Sequence, residues 1–198
     1  MRWNKELAEK IEPWFRLGAA VVAALWALGE YRARMAEGRV EKTLAYVAQF
    51  HEEPVGPAWQ RIEDAWDARE QDTLALLAEP QSEQWRARWG AHVLRTVAQA
   101  RLGPSIAIVA QFFHEMQACA EAGICDAATA RAFFKVRATE FYHLHYCYLL
   151  ARRKELKDPA FGTAIEWMAE TASSDGCGEV PAAPPIPSIG IGGVAPSR

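Results

Sequence analysis

The best metal-binding pattern in the chain is a histidine and a cysteine on one predicted helix. In the segment HLHYC, His143 and Cys147 are four residues apart and therefore share a helix face. Zinc accepts both ligand types, and Cys119 supplies a further thiol nearby in sequence. A specific zinc signature needs four ligands, and the spacing from Cys119 to Cys125 is not a usual one. The alternative is that Cys119 and Cys147 are small core residues and that the histidines, His145 included, lie at the domain surface.

Two histidine–glutamate pairs are close enough for general acid–base chemistry on a helix, His114 with Glu115 and Glu140 with His143. The second pair is equally typical of a solvated helix surface. The sequence has no nucleophile elbow, no zinc-protease helix motif, no phosphate-binding glycine loop and no dinucleotide fingerprint. We therefore expect no catalytic residue and no cofactor, and keep as the alternative a metal- or ligand-binding enzyme that uses Glu115, Glu140, His143 and Cys147.

Composition narrows the class of protein. The 198 residues are 51% hydrophobic and 24% charged, which is typical of one folded domain with appendages. The net charge is −3 and acidic residues interleave with basic ones, so we expect no nucleic-acid partner. The four cysteines form no CxxC pair, and we interpret them as free thiols in a reducing compartment.

A membrane anchor is predicted at residues 14–34. Residues 17–29 carry no charge and no strongly polar group. As a helix they extend about 20 Å, whereas a typical span needs about 20 residues. Aromatic and basic residues at the edges extend the stretch and resemble interface anchors, namely Trp14, Arg16, Trp26 and Tyr31. The alternatives are a buried core helix and a cleaved signal peptide, against which the acidic residues of the N-terminal segment argue.

Small residues recur every four positions within the anchor, which is typical of close helix–helix packing. They form a candidate contact face for self-association or a membrane protein partner, and comprise Ala19, Ala20, Ala23, Ala24 and Ala27. Basic residues flank both ends of the anchor almost equally, so the positive-inside rule barely distinguishes the two orientations in the membrane. Because we interpret the four cysteines as free thiols in a reducing compartment, we expect a single-pass protein of the inner membrane with a cytoplasmic C-terminal domain.

Apolar periodicity predicts an all-α fold. The predicted segments are a short amphipathic stretch at 1–13 ended by Pro13, the anchor at 14–34, an antiparallel helical bundle at 35–172 and a disordered Pro/Gly-rich tail at 173–198. Within the bundle we expect helices at 39–52, 58–78, 83–102 and 105–122, with Leu44 on the apolar face of the first and Ile62, Trp66 and Leu77 facing inward in the second. A long helix from Asp126 to about Leu156 and a final helix opened by Asp158 and Pro159 follow.

Local motifs resemble a family of small bacterial membrane-anchored helical proteins known as a domain of unknown function. A Thr-Leu helix, here Thr43 and Leu44, follows the anchor, and an apolar helix carrying Phe112, Phe113 and Glu115 ends in a turn. That turn consists of Gly123, Ile124 and Asp126, in which Gly123 ends one helix, Ile124 folds back and Asp126 caps the next. The chain departs from the family at His114.

The resemblance implies a fold and a membrane location but no activity. Together with the anchor and the missing catalytic motifs, it leads us to expect a membrane-tethered, non-enzymatic interaction or scaffold module, or an accessory subunit of a membrane complex. Its expected partners are the lipid bilayer and a protein partner or a second copy.

Overall fold

The computed structural model describes residues 5–79, 82–171 and 177, with side chains from Leu17 onward except that of Glu83. The part that it describes is helical and contains no strand, so the all-α bundle prediction is confirmed there. The seven helices of this part, in chain order, are α1 (Lys5–Phe50), α2 (Val55–Asp67), α3 (Glu70–Leu77), α4 (Glu83–Gln99), α5 (Gly103–Glu121), α6 (Ala127–Leu156) and α7 (Thr163–Ala169). Apart from Cys177, the predicted tail at 173–198 lies outside the described residues.

Helix α1 is continuous where three separate elements were predicted. Its 46 residues form a rod about 69 Å long and include Pro13, which was expected to end the first segment. Proline removes one backbone hydrogen bond and strains the preceding turn, and a helix of this length retains the others. Gly38, between the predicted anchor and the next helix, reduces helix propensity by about 1 kcal/mol and does not interrupt it either.

No helix within residues 5–79 and 82–171 combines the length and apolar character required to span a membrane.

The C-terminal end of α1 attaches it to the bundle. Thr43 is fully buried, donates its hydroxyl proton to the carbonyl of Arg39 and accepts a hydrogen bond from the backbone N–H of Asp126 at 2.8 Å. Phe50 is 2% exposed and meets the rings of Phe112 and Phe134 at 5.4 and 5.2 Å. The predicted inward face of this segment was partly wrong: Leu44 is 44% exposed, because Thr43 faces the bundle instead.

The predicted helix at 58–78 is two helices. A turn at Ala68 and Arg69 separates α2 from α3, and α2 buries Ile62 and Trp66 as expected. Helix α3 has no buried residue, so the expectation that Leu77 faces inward was wrong; it is 49% exposed.

The turn between α5 and α6 confirms two of its three predicted roles. Gly123 has φ +69°, and the carboxylate of Asp126 accepts a hydrogen bond from Thr129 N–H at 2.7 Å to cap α6. The backbone N–H groups of Ile124 and Cys125 both bond to the carbonyl of Cys119. The side chain of Ile124 is nevertheless 54% exposed and does not supply the predicted apolar contact, whereas that of Cys125 is 3% exposed.

The last helix starts later than predicted. Asp158 accepts a hydrogen bond from Ala160 N–H at 2.9 Å, but residues 159–162 form turns rather than a first helical turn. Helix α7 begins after Gly162, whose φ of +75° is disfavoured for residues with a side chain. Here Gly162 also lies against Leu149 of α6, where a β-carbon would come within 3.1 Å.

Candidate functional site

The structure does not assemble the predicted metal ligands. His143 is exposed, Cys147 is 1% exposed and bonded to Cys177, and Cys119 is bonded to Cys125. A thiol within a disulfide is not available as a thiolate ligand. In the described part of the chain, no group of three or more His, Cys, Asp or Glu side chains could hold a metal ion.

The interpretation of the cysteines as free thiols was wrong, because all four are paired. Cys119 and Cys125 close the α5–α6 turn, with Cα atoms 5.2 Å apart. Cys147 and Cys177 are 5.6 Å apart and tether residue 177 to α6. Both separations are usual for disulfides. The spacings of six and 30 residues match no sequence motif, so only the folded arrangement identifies the pairs.

We expect the protein isolated from cells, denatured without reductant, to contain no thiol that reacts with a maleimide. After reduction, all four cysteines should react. The reason is that a disulfide sulfur is not nucleophilic, whereas an unfolded thiol is accessible. Mass spectrometry of the labelled chain measures the count. Labelling of two or more cysteines before reduction, with trapping during lysis, would contradict the pairing.

His145 was expected at the surface and instead lies in the core. It is 1% exposed, and its Nε2 accepts a hydrogen bond from the indole N–H of Trp66 at 3.0 Å. Since Nε2 is an acceptor, the ring proton resides on Nδ1, which donates to the carbonyl of Phe141 at 2.8 Å. Burial lowers the pKa of His145 to about 4, and the bond to Phe141 offsets part of that effect. The ring is therefore neutral and structural at pH 7.

The buried neutral state of His145 predicts that acid destabilises the bundle before most carboxylates titrate. Between pH 6.5 and pH 4 the unfolded chain binds a proton on this ring that the folded protein does not, so stability falls as pH falls. The expected loss is roughly 3 kcal/mol at the lower end of that window. Denaturant unfolding at a series of pH values measures it, with His145→Gln as the comparison. An equal slope in both proteins would refute the assignment.

The two candidate acid–base pairs lie on open surface. His114, Glu140 and His143 are exposed. Glu115 is exposed too and accepts a hydrogen bond from Gln111 at 2.9 Å, four residues away on the same helix. All four side chains are exposed, so these groups lie on a solvated helix surface.

The most conspicuous surface of the molecule is the stretch of α1 at residues 17–29, in which every side chain or glycine is exposed. Val22, Leu25 and Trp26 are 67%, 64% and 72% exposed. The predicted interface residue Tyr31 is 61% exposed, whereas the side chains of Trp14 and Arg16 lie outside the described part. A contiguous apolar surface of this kind on a folded protein marks a site of interaction.

The two sides of this stretch carry side chains of different size. At 100° per residue the five alanines of the predicted contact face occupy one half of the helix circumference. The larger side chains occupy the other half, namely Leu17, Val21, Val22, Leu25, Trp26 and Leu28. Charged groups resume only at Glu30, which pairs with Arg34 at 2.5 Å. The stretch thus offers apolar surface all round to lipid or protein and no group for chemistry.

Comparison of the chain with protein-family models, with curated proteins and with solved structures found no significant match to any of them.

Proposed function

We propose that the protein is a membrane-tethered, non-enzymatic helical module. Residues 17–29 of α1 insert into lipid and carry, on their alanine side, the contact with a protein partner or a second copy, and the bundle from Thr43 onward is thereby held at the membrane. One observation carries the proposal: thirteen consecutive uncharged residues are exposed on a helix that packs against the bundle through its far end, at Thr43 and Phe50.

Lipid accounts for the distribution of this exposure better than a single docked helix does. A docked helix covers one side, yet Leu17 and Trp26, half a turn apart on the circumference, are 57% and 72% exposed. A bilayer surrounds a helix and accepts apolar side chains all round. The stretch extends about 20 Å against a hydrocarbon core of about 30 Å, a mismatch that bilayer thinning and snorkelling side chains accommodate.

Partner contact within the membrane is proposed for the alanine side of α1. Side chains as small as those of Ala19, Ala23 and Ala27 let two helix backbones approach closely, and dispersion contacts rather than burial from water then hold the pair. The larger side chains of the opposite half face lipid in this arrangement. The partner is a second copy of the chain or another subunit of a membrane complex.

The two disulfides support placing the bundle in an oxidising compartment. The expectation of a cytoplasmic bundle depended on reduced thiols, and the pairing of all four cysteines removes that ground. Disulfides persist outside the cytosol and are rare within it. Because basic residues flank the stretch almost equally on both sides, the disulfides are the stronger guide to orientation.

Alkaline carbonate extraction of membranes from cells that make the full chain tests the tether. Carbonate releases proteins held by charge and leaves those held by buried apolar surface, so the protein should stay in the pellet. Complete release into the supernatant would overturn the membrane proposal.

The membrane pellet, solubilised in mild detergent, then tests association with a partner or a second copy. A species larger than one chain is expected, and a lone monomer with no co-purifying protein would overturn the proposed association.

A further inference from the structure

An open groove of about 460 Å³ lies where α1 turns into α2 and faces α6. The turn is tight: the backbone N–H of Gly56 bonds to the carbonyl of Glu52 at 2.8 Å. A β-carbon on Gly56 would lie 2.7 Å from the carbonyl oxygen of His51, so a residue with a side chain would displace this rim. The groove has the volume of a small-molecule site, and none of the roles described above uses it.

The floor and one wall of the groove are aromatic and held in place by the core. Phe50 forms the floor, packed against Phe112 and Phe134. Trp59 forms the wall; its ring meets that of Phe50 at 5.2 Å and stacks on Phe141 at 5.6 Å. Trp59 is only partly buried, so its fixed ring presents apolar surface to a ligand with little loss of side-chain entropy on binding, while the buried Phe50 supports it.

Opposite charges line the same groove. The guanidinium carbon of Arg137 lies 5.3 Å from the centre of the Phe50 ring. The other three arginines of α6 each pair with a glutamate, whereas Arg137 forms no ion pair with any described residue. Glu63 accepts the indole N–H of Trp59 at 2.6 Å and likewise forms no ion pair in the described part. The groove therefore holds one cation and one anion, each with bonding capacity to spare.

We propose that this groove binds a small zwitterion, an amino acid with an apolar side chain. The ligand's carboxylate bonds to the Arg137 guanidinium, its ammonium bonds to the Glu63 carboxylate, and its side chain packs on the partly exposed ring of Trp59. Charge complementarity selects this class, since a simple anion would be repelled by Glu63 and a simple cation by Arg137. The site is independent of the membrane tether, because its lining residues belong to the bundle end of the molecule.

Isothermal titration of the detergent-solubilised full chain with L-phenylalanine tests the proposal. Two analogues of that ligand each lack one charge: N-acetyl-L-phenylalanine has no ammonium and L-phenylalaninamide has no carboxylate. Saturable binding of L-phenylalanine is expected, weakened about tenfold or more by Arg137→Gln or Glu63→Gln, because each removes a charged hydrogen bond. Arg152→Gln, which removes a cation paired with Glu155 elsewhere on α6, is the matched control and should bind normally.

The ligand series makes the assignment specific. Glu63→Gln should not weaken N-acetyl-L-phenylalanine further, and Arg137→Gln should not weaken the amide further, since each pair removes the same contact twice. Melting curves of all three variants confirm that the fold is retained, as expected from the exposure of Glu63 and Arg137 and the partial exposure of Arg152. Absence of saturable binding of L-phenylalanine to the wild-type chain would overturn the proposal. Binding that neither variant changes would overturn it too.

Discussion

Replacing Val22 and Leu25 together by aspartate is expected to move the protein from the membrane fraction to the soluble fraction. Both residues lie near the middle of the exposed stretch and are 67% and 64% exposed. A charge at the centre of an inserted helix disfavours insertion by about 2.5–3.5 kcal/mol, so the pair opposes it by about 5–7 kcal/mol. Since both side chains are largely exposed in the folded chain, the melting temperature of the bundle should change little.

The measurement is the fraction of the chain that sediments with membranes, determined by immunoblot. Leu74→Asp with Leu77→Asp is the matched control, because these α3 leucines are 57% and 49% exposed but do not belong to the proposed tether. The control should sediment as the wild type does. If the Val22/Leu25 variant also stayed with the membranes through an alkaline wash, the tether would have to lie elsewhere.

Phe50→Ala is expected to destabilise the bundle by about 3–5 kcal/mol, the usual result of removing a buried aromatic ring. Phe50 ends α1, is 2% exposed and contacts the rings of Trp59, Phe112 and Phe134. It thus connects α1 to α2, α5 and α6, so its removal leaves a cavity between these helices. Urea unfolding followed by tryptophan fluorescence measures the change.

Phe133→Ala makes the same chemical change on the surface of α6, where the ring is 49% exposed, and should alter the free energy of unfolding by less than about 0.5 kcal/mol. Comparing the two isolates the effect of burial. A loss below 1 kcal/mol for Phe50→Ala would indicate that the end of α1 does not pack into the bundle, and would remove the link between the exposed stretch and the core.

Helix identity was predictable wherever local chemistry decides it. Gly123 and Asp126 set the α5–α6 turn through a positive φ and a side-chain cap, both of which depend on residue type alone. The predicted helix bounds were wrong where tertiary packing, or the summed propensity of a long helix, determines them. Pro13 suggests a break that α1 absorbs, and nothing in residues 58–78 signals the separation of α2 from α3 at Ala68. The apolar periodicity predicted that Leu44 faces the bundle. Thr43 faces it instead, where its hydroxyl accepts a hydrogen bond from the backbone N–H of Asp126.

The exposed stretch was visible from its lack of charge, whereas the disulfides and the burial of His145 were not. Cys147 and Cys177 are 30 residues apart and meet only in the folded chain. His145 follows His143 by two residues, and only the packing of α6 against Trp66 distinguishes the buried histidine from the exposed one. The groove between Trp59 and Arg137 joins residues 78 positions apart, a proximity that no motif encodes.

Cross-linking with a photoreactive phospholipid in native membranes tests the insertion of α1 most directly. Trypsin cuts after Arg16 and Arg32, which releases the proposed tether as a single peptide of residues 17–32. Mass spectrometry should locate the lipid adducts mainly in that peptide, because its apolar side chains contact the acyl chains. Adducts that are absent from it, or that are spread evenly over peptides of the bundle, would contradict insertion.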